Sequence, residues 1–162
     1  MSAPSRVQRG CYGAFASILG VILFSSLLRA QDGATQPADP FASVGLGKSV
    51  TVFIVVSPNC PTCLEQMAFY KQLMSLPGMD GKDGKLIVLA QQGVIPVGKM
   101  LDEQGLKPHL LTSGPAETHE IRELPSLFIL DARGKRIGTW PGKLTDEQKT
   151  KILTTIGAKA NR

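Results

Sequence analysis

Two cysteines three positions apart are the residues of this chain best suited to chemistry. Cys60 and Cys63 stand in the stretch SPNCPTC, which follows the β-branched apolar run SVTVFIVV. A thiol at the start of a helix lies among backbone N–H groups that lack helical partners and that favour a thiolate. A second thiol one turn later can attack a mixed disulfide and release the bound partner. The spacing therefore predicts thiol–disulfide exchange, with Cys60 as the nucleophile and Cys63 as the resolving thiol.

The same two thiols fit three other interpretations. A structural disulfide uses similar spacing in an oxidising compartment. A zinc site needs two further ligands, and the chain offers no second C-x-x-C and only the lone histidines His109 and His119. A copper carrier could recruit Met67, although no histidine stands beside Pro125 to complete its site. We predict no metal and no cofactor.

The N-terminal segment predicts export from the cytoplasm. Arg6 and Arg9 precede an uncharged stretch over residues 10–28, which is long enough to cross a membrane. Residues 1–30 are therefore a signal anchor or a cleaved signal peptide. Because basic residues stay on the inner side, the rest of the chain would face the periplasm. We expect a protein anchored in the inner membrane by residues 10–28 or, alternatively, a soluble periplasmic or secreted one.

The charge of the chain argues against nucleic-acid binding. The formal net charge is +5, but removing Arg6, Arg9 and Arg29 with the N-terminal segment leaves 15 basic against 13 acidic residues. No cluster of Lys and Arg stands out, and phosphate neutralisation would need one. Nucleic acid is therefore not a predicted partner.

The remainder of the chain predicts a tether followed by one domain. Residues 31–45 are rich in Gly, Ala, Asp and Pro, which indicates a flexible tether. The folded domain is then expected over residues 46–162. Within it, SVTVFIVV and KLIVLA have the length and β-branched content of strands buried on both faces. Between them an apolar stripe predicts one helix, formed by Leu64, Met67, Ala68, Tyr70, Met74 and Leu76.

The C-terminal half adds a hairpin and a last helix. SLFILD, ARGK and RIGTW predict two strands joined by a turn that contains glycine. Thr145 begins the final helix, with Glu147 or Gln148 completing an approximate cap. Alternating strands and helices followed by a hairpin predict an α/β fold, in which a mixed central sheet carries helices on both faces. This domain would follow the N-terminal hydrophobic helix.

Over about residues 45–157 the chain resembles the thioredoxin superfamily. Within it the resemblance is to the TlpA/ResA group of exported or membrane-anchored thiol–disulfide oxidoreductases. It is carried by GLGKSVTVFIVVSPNCPTCLEQM and LPSLFILDARGKRIGTWPGKLTDEQ. The resemblance implies a thioredoxin-like fold and a redox-active disulfide between Cys60 and Cys63. It also implies a cis peptide bond at Leu124–Pro125, facing the cysteines.

The resemblance also implies roles for the neighbours of the cysteines. Pro61 and Thr62 lie between them and are expected to contact the substrate. The backbone of Leu124 is expected to pair with an extended substrate peptide as a neighbouring strand would. Pro125 is expected to complete the catalytic set, because it carries no N–H that could compete for the thiolate.

Four positions depart from the pattern of the group, one of them Ala68, which replaces the Pro that often kinks this helix. Its usual Trp before the first cysteine is Asn59 here, and its usual Glu three residues after the second cysteine is Gln66. The polar or acidic residue often buried six positions before the first cysteine is Ile54. Without these groups, proton transfer at Cys63 would rely on water or on Glu65.

The predicted function is reversible exchange with protein thiols or disulfides in the periplasm, coupled to a membrane electron donor or acceptor. The resemblance to the TlpA/ResA group implies reduction of specific partners, such as those of cytochrome c maturation. SPNCPTC after an N-terminal membrane helix also resembles MauD-type accessory proteins, which implies maturation of a disulfide-rich periplasmic enzyme. A non-enzymatic thioredoxin-like copper chaperone is the alternative from another class.

Overall fold

Strands and helices alternate along residues 39–160, which are the residues that the computed structural model describes. In this part of the chain the strands are β1 (Val50–Val56), β2 (Gly84–Ala90), β3 (Leu110–Thr112), β4 (Ser126–Asp131) and β5 (Arg136–Pro141). The α-helices are α1 (Pro61–Glu65), α2 (Met67–Met74), α3 (Val94–Glu103) and α4 (Asp146–Ala160). Two 3-10 helices cover Pro40–Val44 and Ala116–Glu120.

The five strands form one mixed sheet in the order β3-β2-β1-β4-β5. β1 is parallel to β2, and β2 is parallel to β3, whereas β4 is antiparallel to both β1 and β5. All seven residues of the central strand β1 are buried, as its unbroken apolar sequence predicts. The predicted mixed sheet is confirmed.

Alternate side chains of the central strands divide the core between the two faces of the sheet. On the first, the cysteine face, Ile54 and Val56 pack with both cysteines and with apolar residues of α2, α3 and α4. On the second, the phenylalanine face, the three rings of Phe41, Phe53 and Phe128 pack together. The α-helices cover the cysteine face, and the 3-10 helix that contains Phe41 covers the phenylalanine face.

The folded domain begins earlier than predicted. Residues Pro40–Val44 were expected in the tether 31–45, but they form a 3-10 helix. Phe41 is only 3% exposed, and its ring lies with centroids 6.1 Å from Phe53 and 4.5 Å from Phe128. A single aromatic side chain buries enough apolar surface to order a segment whose other residues suggest a loop.

The helix that follows the cysteines is interrupted. α1 ends at Glu65, and Gln66 separates it from α2. The predicted apolar stripe is partly wrong, because the buried face of the two helices runs through Cys63, Gln66, Met67, Tyr70 and Leu73. Leu64 is 40% exposed and Ala68 is exposed, whereas Phe69 is buried.

Two local predictions in the C-terminal half are confirmed. Gly134 has a φ of 77° in the turn between β4 and β5, a conformation that glycine adopts without steric cost. At the start of α4, Thr145 Oγ1 accepts a hydrogen bond from the Gln148 N–H at 3.2 Å, and Gln148 Oε1 accepts one from the Thr145 N–H at 2.8 Å. This reciprocal pair satisfies two N–H groups at the helix start.

The predicted membrane segment at residues 10–28 lies outside the described residues, as does Cys11. Within residues 39–160, no helix combines the length and the apolar character that crossing a bilayer requires.

Candidate active site

Cys60 lies at the junction between β1 and α1. It is the N-cap of α1, and its Sγ accepts a hydrogen bond from the backbone N–H of Cys63 at 3.1 Å. Pro61 occupies the first helical position, where its missing N–H leaves no helical hydrogen bond unmade. Cys60 and Cys63 are joined by a disulfide, with their Cα atoms 5.2 Å apart.

The two cysteines differ in their access to solvent. Cys60 is 9% exposed, whereas Cys63 is fully buried. The difference follows from the cap geometry, since an N-cap residue lies outside the helix while Cys63 lies within its first turn. The solvent-exposed surface of the disulfide therefore belongs to Cys60.

The Leu124–Pro125 bond is cis, as predicted. The next residue, Ser126, pairs with Val55 near the end of β1. This register puts the start of β4 at the same edge of the sheet as the end of β1, from which the chain continues to Cys60. Pro125 is buried, and the half-buried Leu124 packs against both faces of the core.

Glu65 forms an ion pair that the sequence analysis did not predict. Its Oε2 lies 2.6 Å from Lys143 Nζ, and the two side chains are 54% and 64% exposed. Lys143 follows β5, and no local sequence signal connects it with a glutamate 78 positions earlier. Thr62 is half-buried and Pro61 is exposed.

Two buried polar side chains extend from the cysteines along the interrupted helix. Gln66 is 2% exposed and Tyr70 is fully buried. Among the described residues, neither Gln66 Oε1 nor the Tyr70 hydroxyl has a hydrogen-bond partner. Burial raises the pKa of Tyr70, so its hydroxyl stays protonated at neutral pH. Gln66 was singled out in the sequence only as a departure from the group's pattern, and Tyr70 only as an apolar position.

Within residues 39–160, no group of three or more His, Cys, Asp or Glu side chains is arranged to hold a metal ion. The polar groups near the disulfide are instead an ion pair, an amide and a phenol.

Several solved structures are similar to this one. A thioredoxin family thiol:disulfide interchange protein from Chlorobium tepidum aligns with a TM-score of 0.55 and 16% identity, over 70% of this chain and 83% of its own. The described domain of our protein therefore has a thioredoxin-like fold. The dsbF protein of Mycobacterium tuberculosis, solved in mixed oxidised and reduced forms, aligns with the thioredoxin-like domain at the same score and identity, over 71% and 84%.

A third similar structure is a secreted disulfide oxidoreductase of Mycobacterium tuberculosis. It has a TM-score of 0.53 and 11% identity, with 76% of this chain and 92% of that chain covered. No protein-family model and no curated protein matches the chain. At these identities the likeness establishes the thioredoxin-like fold alone.

Proposed function

We propose that this protein is a thiol–disulfide oxidoreductase that exchanges disulfides with other proteins through Cys60 and Cys63. The observation that carries the proposal is the asymmetry of the disulfide. Cys60 is the more exposed cysteine and receives the N–H of Cys63, whereas Cys63 is fully buried. A purely structural disulfide has no need for such a difference, but an exchange reaction needs one attackable sulfur and one protected resolving sulfur.

The exchange proceeds in two balanced steps. The Cys60 thiolate attacks a disulfide of the substrate, forms a mixed disulfide and releases one substrate thiolate. The Cys63 thiolate then attacks the Cys60 sulfur, closes the Cys60–Cys63 disulfide and releases the second substrate thiolate. Two electrons pass to the substrate, whose thiolates take up two protons. In the reverse direction, the Cys60–Cys63 disulfide oxidises a dithiol of the partner.

The Cys63 N–H favours the first step. It donates to the Cys60 sulfur at 3.1 Å, and a hydrogen bond to a charged sulfur is stronger than one to a neutral sulfur. In the second step Cys63 has to lose a proton while it is buried. We assign the exposed Glu65 as the acceptor, reached through water; its Oε2 lies 2.6 Å from Lys143 Nζ.

The substrate peptide binds at the edge where β1 ends and β4 begins. Leu124 precedes the cis bond and is half-buried, and its backbone would pair with an extended segment of the substrate. The exposed Pro61 and the half-buried Thr62 would contact the same segment. Pro125 brings no N–H to this edge, so the thiolate keeps its hydrogen bond from Cys63.

The partners are protein thiols or disulfides on the periplasmic side of the inner membrane. The uncharged residues 10–28 after Arg6 and Arg9 support an anchor with this orientation, and a secreted disulfide oxidoreductase is among the similar structures. A membrane electron donor or acceptor would reset the cysteines, and partners of cytochrome c maturation are one destination for the electrons. A maleimide that cannot cross membranes should label the reduced protein on spheroplasts; labelling only after lysis would contradict the orientation.

Alkylation of the reduced protein tests the central proposal. At neutral pH a limiting amount of iodoacetamide should label Cys60 before Cys63, as mapped by peptide mass spectrometry. The protein should also equilibrate with glutathione. Preferential labelling of Cys63, or a disulfide that does not exchange with glutathione in the folded state, would contradict it. A Cys11→Ser background removes the third thiol from the assay.

A further inference from the structure

Cys63, Gln66 and Tyr70 form a buried polar row along one side of the interrupted helix. The Gln66 N–H donates to the Cys63 carbonyl at 3.2 Å, and the Tyr70 N–H donates to the Gln66 carbonyl at 3.1 Å. The three residues are therefore joined by successive helical turns, whose side chains lie on one side of a helix. All three are at most 2% exposed.

An unpaired acceptor in this row is unexpected in the oxidised protein. Gln66 Oε1 has no hydrogen-bond partner within residues 39–160, and a buried polar atom without a partner destabilises the fold. The disulfide cannot donate a hydrogen bond to Gln66 Oε1, because neither sulfur carries a hydrogen. The amide is thus buried one turn from Cys63 with its acceptor unused.

Reduction of the disulfide gives Cys63 a hydrogen-bond donor. When two electrons and two protons open the disulfide, Cys63 gains an S–H group, which is a weak donor. Because Cys63 is fully buried, water is a poor acceptor for this hydrogen. The amide oxygen of Gln66, one helical turn away, is a buried acceptor that has no partner among the described residues.

We infer that Gln66 is a positioning residue, whose Oε1 accepts the thiol hydrogen of reduced Cys63 and thereby raises the reduction potential of the pair. The hydrogen bond exists only in the reduced form, so it stabilises that form selectively. The inference rests on the proposed exchange function, since it concerns the same cysteines. Tyr70 lies one turn farther away, and its hydroxyl has no part in this hydrogen bond.

The test compares reduction potentials against glutathione in the full chain. Gln66→Met keeps the length of the side chain but removes the acceptor, and should shift the equilibrium about threefold toward the disulfide, or about 14 mV for a two-electron couple. Gln66→Glu retains an acceptor and should restore the wild-type preference or exceed it. Tyr70→Phe is the matched control, and its potential should equal that of the wild type.

Stability measurements separate this role from a packing role. Gln66→Met should lower the free energy of unfolding of the reduced form relative to that of the oxidised form, by the amount that the potential requires. A packing role would change both forms equally and leave the potential unmoved, which would overturn the inference. An equal shift in Tyr70→Phe would overturn it as well.

Infrared spectroscopy gives a readout that needs no stable Gln66 variant. In the Cys11→Ser/Cys60→Ser protein, Cys63 is the remaining thiol, and its S–H stretch should lie below the frequency of a free thiol. A free-thiol frequency would contradict the hydrogen bond. Failure of the wild type to exchange with glutathione would instead refute the proposed function, so the two failures are distinguishable.

Discussion

On the cysteine face of the sheet, a disulfide joins Cys60 and Cys63, and Gln66 and Tyr70 bury polar atoms that have no hydrogen-bond partner in the part of the chain that the structure describes. On the phenylalanine face, Phe53 and Phe128 stack, and Phe41 packs against both at a tilt within an apolar cluster. Both faces derive from alternate residues of the same strands. The first face therefore buries polar atoms beside a disulfide, whereas the second buries apolar side chains.

The ion pairs beside the two faces also differ, in how far they are exposed to solvent. Beside the phenylalanine face, Arg136 makes two hydrogen bonds with Asp39, at 2.6 and 3.1 Å, and its guanidinium lies 4.5 Å from the ring centroid of Phe128. Near the cysteines, Glu65 and Lys143 form a more exposed pair. A pair anchored on aromatic rings holds its geometry, whereas an exposed pair can open and exchange protons with water.

The largest effect is expected from removing either cysteine. Cys60→Ser should abolish disulfide exchange, because the accessible nucleophile is lost. Cys63→Ser should also stop turnover, but it should accumulate a mixed disulfide through Cys60 with a protein partner. Non-reducing electrophoresis of periplasmic extracts measures the adduct. A folded Cys63→Ser protein that forms no mixed disulfide would contradict the assignment of Cys60 as the nucleophile and Cys63 as the resolving thiol.

The next effect concerns the phenylalanine face. Phe128 stacks on Phe53 with centroids 5.0 Å apart and is only 1% exposed. Phe128→Ala should lower the free energy of unfolding by about 3–5 kcal/mol, measured with denaturant. The reduction potential should stay unchanged, because both redox forms lose the same packing. Phe128→Leu is a milder control for packing, and a shifted potential in either variant would show that the two faces are coupled.

A smaller effect is expected at the rim of that face. Arg136→Lys keeps the charge but loses the paired hydrogen bonds to Asp39 and the stacking on Phe128, which should cost about 1 kcal/mol of unfolding free energy. A double-mutant cycle with Asp39→Asn should give a favourable coupling energy. Zero coupling would mean that the pair does not fasten the 3-10 helix of Phe41 to β5.

The smallest effect lies in the loop before β2, away from both faces. Backbone N–H groups of Asp83 and Lys82 donate to Asp80 and lower the pKa of its carboxyl. The carboxylate therefore stabilises the fold above its ordinary pKa of about 4, and this contribution is lost as the pH falls through the lowered value. Asp80→Asn keeps an acceptor but removes the charge, so its deficit in stability at pH 7 should shrink at acid pH. A deficit that is independent of pH would contradict the charge effect.

Local sequence patterns determined much of this protein. The unbroken run of β1 predicted a central strand, SPNCPTC predicted a thiol at a helix start, and Gly134 and Thr145 predicted a turn and a cap. These features depend on interactions within a few residues, by alternation along a strand or by hydrogen bonds across one helical turn. The cis bond at Leu124–Pro125 came instead from the resemblance to a family.

Only the tertiary structure decided which side chains are buried around these elements. Phe41 is ordered by its contacts with Phe53 and Phe128, which lie on two different strands, and with Arg136. Glu65 pairs with Lys143, which follows the edge strand β5. The buried face of this helix includes the amide of Gln66 and leaves Leu64 exposed, against the predicted stripe. Such contacts join residues that are distant in sequence, so the local periodicity of the sequence does not predict them. Burial depends on the neighbours that the fold brings together.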